Sequence, residues 1–153
     1  MLSKEDRKAY HSSFWSALKK EMNKLPSQSG KRINWLNYPT KIKPIYIRLH
    51  ADNNSARFSI DIQYKDEDIR LLIWEQFEEL KKVLENEMGE GTWSVLSHNA
   101  AGQEISQISW TKEGLNMYKS TDVPKIISFF KEKLLAFDRF YSTYDEVLKG
   151  LVN

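Results

Sequence analysis

Two short runs in which apolar and polar side chains alternate constrain this chain more than any other feature. In the first run Ile45, Ile47 and Leu49 alternate with more polar residues, and a second run with the same pattern contains Phe58, Ile60 and Ile62. The residues between the runs, 52–55, read Asp-Asn-Asn-Ser, and asparagine tolerates the positive φ of a two-residue hairpin loop. A loop at 53–54 predicts a single register, in which each of these apolar residues faces an apolar partner.

The outward face of this predicted hairpin is polar. It carries Tyr46, Arg48, His50, Arg57, Ser59, Asp61 and Gln63. In the predicted register Tyr46 lies opposite Asp61, and Arg48 lies diagonally within reach of Asp61, which suits an ordinary ion pair across the strands. Two interpretations stay open. The face is either the solvated side of an antiparallel sheet or a binding or reactive site, and the latter would allow an enzyme that uses the polar face of the 45–62 hairpin.

Helical periodicity and end signals predict three helices around this hairpin. The first helix begins at a capping box formed by Ser3 and Asp6. The second helix covers residues 66–88 and ends before Gly89. The third helix begins at residues 121–122 and has Pro124 in its first turn. Further strands are predicted at 33–38, 93–97 and 105–110, with a short edge strand at 114–118. The chain is therefore predicted to be one α+β domain over residues 1–153. Its order is αβββαββα, with a mostly antiparallel sheet packed against helices.

The third predicted helix is long for a chain of this size. Residues 122–149 would span ~42 Å, and a heptad-like apolar stripe follows their whole length. The helix therefore crosses the body, breaks near residues 142–143, or projects and pairs with another chain. We favour burial against the first helix, and a homodimer built through the C-terminal helix is the alternative.

Composition excludes several classes of protein. The chain contains no cysteine, so disulfides and thiolate metal sites are absent. No apolar run approaches the ~20 residues that span a bilayer, and the first residues do not resemble a signal peptide, so we expect no membrane association and a cytoplasmic location. His11, His50 and His98 lie on different predicted elements without metal-ligand spacing. We therefore predict no metal and no cofactor.

The opening order αβββαβ resembles the core of restriction-endonuclease-like enzymes. That resemblance implies an acidic residue on the second strand and an acidic-x-Lys triplet on the third, which together hold Mg²⁺. The third strand offers Asp61-Ile62-Gln63 or Gln63-Tyr64-Lys65, but residues 44–50 contain no acid. We therefore expect, at most, a distant relative of that core without its metal ligands, and we predict no catalytic residue.

A segment at 31–43 mixes cations with aromatic rings. Its candidate binding residues are Lys31, Arg32, Trp35, Tyr38 and Lys43. Lysine and arginine suit phosphates and the rings suit unpaired bases, so the mixture is typical of single-stranded nucleic-acid binding. Residues 1–50 also hold eleven Lys and Arg against three Asp and Glu, whereas the rest holds twelve against eighteen. The alternative is a core strand with a buried Trp35 and solvated lysines.

The chain as a whole resembles a bacterial family known as domain of unknown function 4268 (DUF4268). The matching pieces are Ile33-Asn34-Trp35 with Tyr38 and Thr40, the strand pair around 45–49 and Ile60, Glu75-Gln76-Phe77, Gly89-Glu90, Ile105-Ser106-Gln107-Ile108, and Ile127-Ser128-Phe129-Phe130 with Phe137-Asp138. The resemblance implies that the domain also occurs attached to nuclease-like domains, in a context of DNA metabolism or defence. It supplies no catalytic residues.

These observations favour a non-catalytic binding or interaction module that engages nucleic acid through residues 31–48. The enzyme and the homodimer described above stay as alternatives.

Overall fold

The computed structural model describes residues 2–152. Its elements in chain order are α1 (Lys4–Met22), a 3-10 turn (Trp35–Asn37), β1 (Ile45–Ala51), β2 (Ser55–Ile62), α2 (Glu67–Glu79), α3 (Lys81–Met88), β3 (Thr92–His98), β4 (Glu104–Glu113) and α4 (Val123–Gly150). The α+β class is confirmed, and so is the order of the elements except for the segment before β1.

The hairpin of β1 and β2 has the predicted register. Leu49 faces Phe58, Ile47 faces Ile60 and Ile45 faces Ile62. The loop lies at residues 53–54 as predicted, but the expected positive φ is absent, because Lys41 is the only non-glycine residue with positive φ in 2–152. Instead, the Asp52 carboxylate accepts hydrogen bonds from the backbone N–H groups of Asn54 (2.8 Å) and Ser55 (2.9 Å). The turn is therefore held by an aspartate side chain.

One four-stranded antiparallel sheet has the order β1-β2-β4-β3. The helices cover one face of it. On that face Phe58 contacts Phe137 of α4 (ring centroids 5.9 Å apart), and Trp93 contacts Trp74 of α2 (5.5 Å). The apolar core lies between the sheet and the helices. The opposite face carries the polar residues of the hairpin, and no helix within residues 2–152 lines the cavity on that face.

The first and last helices form where the sequence predicts them. Both hydrogen bonds of the capping box form between Ser3 and Asp6. The helix α4 is unbroken over 28 residues, and its buried residues extend from Ile126 to Leu148. Of the three arrangements considered, α4 therefore crosses the body. The first half of α4 contacts α1, where Phe14 packs edge-to-face on Phe130 with ring centroids 6.2 Å apart. The favoured contact of α1 with the end of α4, at Tyr144, Leu148 and Leu151, stays a prediction.

The predicted strand at 33–38 is wrong. The segment forms a single 3-10 turn, because its aromatic residues are held by side-chain hydrogen bonds rather than by a neighbouring strand. The Trp35 indole N–H donates to the Leu25 carbonyl (3.1 Å), and the Tyr38 hydroxyl donates to Asp138 (2.5 Å). Without this strand the opening order αβββαβ is not observed, and the restriction-endonuclease-like core is not confirmed.

Two further boundaries differ from the prediction. The helix expected over 66–88 divides at Leu80, where the backbone (φ −91°, ψ 3°) leaves the α conformation. The two parts bury separate residues, Phe77 in α2 and Leu84 with Met88 in α3. The edge strand expected at 114–118 forms turns, because its N–H groups donate to Asn54 and Asp52 of the hairpin loop instead of to a strand.

No helix within residues 2–152 is both long enough and apolar enough to span a bilayer.

Candidate functional site

A cavity of about 410 Å³ lies on the uncovered face of the sheet. Its floor is formed by side chains that point away from the core on three adjacent strands. These include Arg48 and His50 of β1, Arg57, Ser59 and Asp61 of β2, and Gln107 of β4. The loop at 98–101, which joins β3 to β4, forms one wall. We call this cavity the sheet-face site.

The loop that forms the wall is anchored to the sheet. The Asn99 side-chain oxygen accepts hydrogen bonds from the backbone N–H groups of Ala101 and Gln103, both 3.0 Å long. The Gln103 amide then donates to the Gln63 carbonyl just after β2 (3.1 Å). These bonds fix the loop beside the polar face of the hairpin.

Neither arginine of the sheet-face site has an acidic partner. Within residues 2–152, no ion pair closer than 4.0 Å involves Arg48 or Arg57. The Arg48 guanidinium instead lies over the Tyr46 ring, 4.4 Å from its centroid. The Arg57 Nε is fully buried and has no hydrogen-bond partner. Burial of a guanidinium nitrogen without an acceptor is costly, so Arg57 Nε is suited to bind an anionic or polar group.

Asp61 does not neutralise this charge. The expected ion pair between Arg48 and Asp61 is absent, because Asp61 accepts a hydrogen bond from the Gln107 side-chain amide instead (2.9 Å). Asp61 is 5% exposed, and its neighbour Ser59 is 1% exposed. The carboxylate is therefore buried and hydrogen-bonded to Gln107, and within residues 2–152 it forms no ion pair with either arginine.

His50 also lines the site and lies directly opposite Arg57 in the ladder. Its Nε2 lies 3.4 Å from Oδ2 of Asp52 at the end of the hairpin. The backbone N–H groups of Asn54 and Ser55 lower the pKa of Asp52, so this carboxylate is charged at neutral pH.

The basic and aromatic segment lies elsewhere. Lys31, Arg32 and Tyr38 line a separate cavity of about 330 Å³ between residues 27–41 and α4. The acidic residue at the bottom of this cavity, Asp138, already has hydrogen-bond donors within the protein. Its carboxylate accepts hydrogen bonds from the Tyr38 hydroxyl and from the Gln28 backbone N–H (2.7 Å). We call this second cavity the α4 cleft. Lys43 is exposed and lines neither cavity.

The two aromatic rings of that segment are not open to a ligand base. Trp35 is 1% exposed and Tyr38 is 9% exposed, since both pack in the core beneath the segment. The candidate residues are therefore divided between two places. Tyr46, Arg48 and Asp61 lie at the sheet face, whereas Lys31, Arg32 and Tyr38 lie at the α4 cleft.

Gln107 and the loop at 98–101 were missed as candidates by the sequence reasoning. They reach the site only because β4 pairs with β2, so that Gln107 lies opposite Asp61. The available signal was the polar alternation of Gln107, Ser109 and Thr111 along β4, which marks an uncovered sheet face. Within residues 2–152, no group of three or more His, Asp or Glu side chains is arranged to hold a metal ion.

The fold and the site define a two-layer α+β domain with an uncovered, arginine-bearing sheet face. Residues 10–145 match the family model described as "Domain of unknown function (DUF4268)", and the chain belongs to that family. The resemblance noted in the sequence is therefore confirmed. Neither the curated proteins nor the solved structures include a significant match to this chain.

Proposed function

We propose that this protein is a non-catalytic binding module that holds the phosphate backbone of a nucleic acid on the sheet-face site. The observation that carries the proposal is the pair Arg48 and Arg57, which line one cavity without an acidic partner. Arginine presents a planar set of N–H donors that matches two phosphate oxygens at once. A phosphate group between these side chains would supply the acceptor that the buried Arg57 Nε lacks.

The neighbouring residues suit a nucleotide chain better than a small inorganic anion. The Arg48 guanidinium lies over the Tyr46 ring, and a base can stack on such a cation and ring pair. Ser59 and Gln107 add neutral polar groups along the floor. The nuclease-linked context that the family resemblance implies points to the same class of ligand. A cytoplasmic location, where nucleic acid is accessible, is part of this proposal.

The proposal is tested by titrating a fluorescent single-stranded oligonucleotide into the full chain and following its polarisation. We expect binding at low salt that weakens steeply as salt rises, because phosphate contacts release counterions. In the Arg48→Gln/Arg57→Gln variant the slope of log K against log salt should fall by about two. Arg7→Gln/Arg139→Gln is the matched control, because it removes two exposed arginines that do not line this cavity.

Two results would overturn the proposal. The first is the absence of oligonucleotide binding at low salt. The second is an equal loss of binding in the control variant, which would show that only the overall charge matters.

An enzyme that uses the same face is the second candidate, and Asp61 is the observation that favours it. This buried carboxylate is oriented by Gln107 on the cavity floor. Among the described residues, Asp61 is the only carboxylate that lines the cavity. Since Mg²⁺-dependent hydrolysis usually needs more than one carboxylate ligand, we expect no cleavage when an oligonucleotide is incubated with the protein and Mg²⁺. Cleavage that Asp61→Asn abolishes would establish the enzyme instead.

A further inference from the structure

A second surface, far more acidic, lies at the other edge of the sheet. The helix α2 carries five exposed acidic residues, Glu67, Asp68, Glu75, Glu78 and Glu79. Its single basic residue, Arg70, is buried with 4% exposure. Within residues 2–152, none of the five acids has a cationic partner within 4.0 Å. With five acidic residues and one arginine, α2 therefore carries a net charge of −4 over Glu67–Glu79.

A groove of about 480 Å³ lies directly beside these acids. It is formed where α2 meets the edge strand β3, and it is lined by both apolar and acidic residues: Leu71, Trp74, Glu75, Glu78, Trp93 and Val95. Val95 is 45% exposed, and Leu72 of α2 (44%) and Leu96 of β3 (55%) are exposed on the same two elements. Aromatic residues in a groove with an apolar border and a charged rim are typical of protein-interaction surfaces.

We propose that this groove binds a basic amphipathic helix of a partner protein. The charge of α2 selects a basic partner, because Glu75 and Glu78 line the groove and have no cation of their own. The Trp93 ring already contacts a cation, since Lys81 Nζ lies 5.1 Å from its centroid. The same acids repel a nucleic acid, so this groove and the sheet-face site bind different kinds of ligand.

The shape of β3 favours a helix over an added strand. β3 pairs only with β4, and its outer edge would be the place for strand addition. The register shifts between Ser94 and Ser97, however, and the Val95 carbonyl accepts a hydrogen bond from the Ser106 hydroxyl (2.6 Å). Such a bulge interrupts the row of free backbone groups that a new strand needs. Val95 lines the groove and is 45% exposed, so a helix can contact its side chain there.

The test uses a synthetic leucine–lysine peptide of about 14 residues with helical spacing of its leucines, and a leucine–glutamate peptide with the same spacing. Binding to the full chain is measured by calorimetry and mapped by amide chemical shifts. We expect the lysine peptide to shift amides of α2 and β3 and to bind at least about tenfold more tightly than the glutamate peptide.

Two variants test whether the lysine peptide binds at the groove. Glu75→Lys/Glu78→Lys should weaken binding of the lysine peptide by about tenfold or more, and Val95→Ser should weaken it by severalfold, because charge and apolar contact both contribute. The matched control is Glu132→Lys/Glu146→Lys, which makes the same charge change at exposed positions of α4 and should have little effect. All four acids are exposed, so we expect both double variants to fold.

Three results would overturn the inference. They are no binding of the lysine peptide, shifts confined to other surfaces, and an equal loss of binding in the α4 control. Oligonucleotide binding is measured in the same variants, and Glu75→Lys/Glu78→Lys should retain it. The two proposals can therefore fail separately.

Discussion

Tyr38 donates a hydrogen bond of 2.5 Å to Asp138, which lies one hundred residues further along the chain. The bond is buried, and the same carboxylate accepts the Gln28 backbone N–H at 2.7 Å. It therefore ties the irregular segment between α1 and β1 to the middle of α4. The next turn of α4 repeats the attachment, because the Tyr141 hydroxyl donates to the Thr40 carbonyl.

We predict that Tyr38→Phe lowers the free energy of unfolding by about 2 kcal/mol, since it leaves Oδ1 of the buried Asp138 carboxylate without its donor. Urea denaturation measures the change. Tyr10→Phe is the control, because Tyr10 is 44% exposed, and it should change stability by less than about 0.5 kcal/mol. A cost for Tyr38→Phe no larger than that of the control would mean that the attachment contributes nothing.

A second prediction concerns alkaline pH. Burial, followed by the hydrogen bond to Asp138, raises the pKa of Tyr38, and burial likewise raises the pKa of Tyr141. Both phenols therefore stay protonated in the fold while they ionise in the unfolded chain above its pKa of about 10. The stabilisation that the two raised pKa values give to the fold is complete below about pH 10. As pH rises above about 10, the free energy of unfolding falls by up to about 1.4 kcal/mol per pH unit for each group.

The double variant Tyr38→Phe/Tyr141→Phe tests whether these two phenols cause the loss of stability at alkaline pH. It is less stable at neutral pH, but its stability should fall less steeply with pH above about pH 10 than that of the unmodified chain. Denaturant unfolding measured at several alkaline pH values gives the two slopes. Equal slopes would assign the alkaline loss to other groups.

Gly91 provides a prediction about packing. A Cβ atom at this position would lie 2.9 Å from Cε2 of Trp110 and 3.2 Å from the Ser109 carbonyl oxygen. The indole cannot easily yield, because its N–H donates to the Gly89 carbonyl (2.8 Å). Gly91→Ala should therefore destabilise the protein by about 1–3 kcal/mol. Gly150→Ala, where no atom lies within 4 Å, should have a much smaller effect in the same thermal unfolding measurement.

The end of α4 decides whether the chain forms the homodimer considered above. Leu148 is 0% exposed, so Leu148→Glu should destabilise the fold by about 3 kcal/mol or more rather than separate two chains. Its neighbour Val147 is 45% exposed, and Val147→Glu should be nearly neutral. In sedimentation we expect a monomer for the unmodified chain. A concentration-dependent dimer that Val147→Glu dissociates would support the homodimer.

Substitutions in the α4 cleft and in the sheet-face site are expected to affect oligonucleotide binding differently. If the α4 cleft binds the ligand, Lys31→Gln/Arg32→Gln should reduce the slope of log K against log salt by about two. We expect instead a smaller effect from these residues than from Arg48 and Arg57, because Trp35 and Tyr38 are buried and leave no stacking surface beside them. Polarisation titrations of both variants at matched salt compare the two surfaces.

Local sequence was sufficient wherever a pattern and its end signals agree. The alternation of β1 and β2 with a four-residue polar connection allows only one register that buries Leu49 against Phe58. The capping box at Ser3 and the Pro124 start of α4 likewise depend on residues within one turn of each other. These elements were predicted correctly because the interactions that define them are close in the chain.

The tertiary structure decided what depends on distant partners. Residues 33–38 carry apolar and aromatic side chains that suit a strand, but Leu25 and Asp138 hold Trp35 and Tyr38 in a 3-10 turn. The candidate site follows the same rule. The alternation of the hairpin predicted the polar face with Arg48 and Asp61, but not that Gln107 would take the place of Arg48 as the partner of Asp61. That exchange depends on the pairing of β2 with β4, which brings together residues 46 positions apart. Strand pairing at such a separation is set by the packing of the whole core, and no local pattern specifies it.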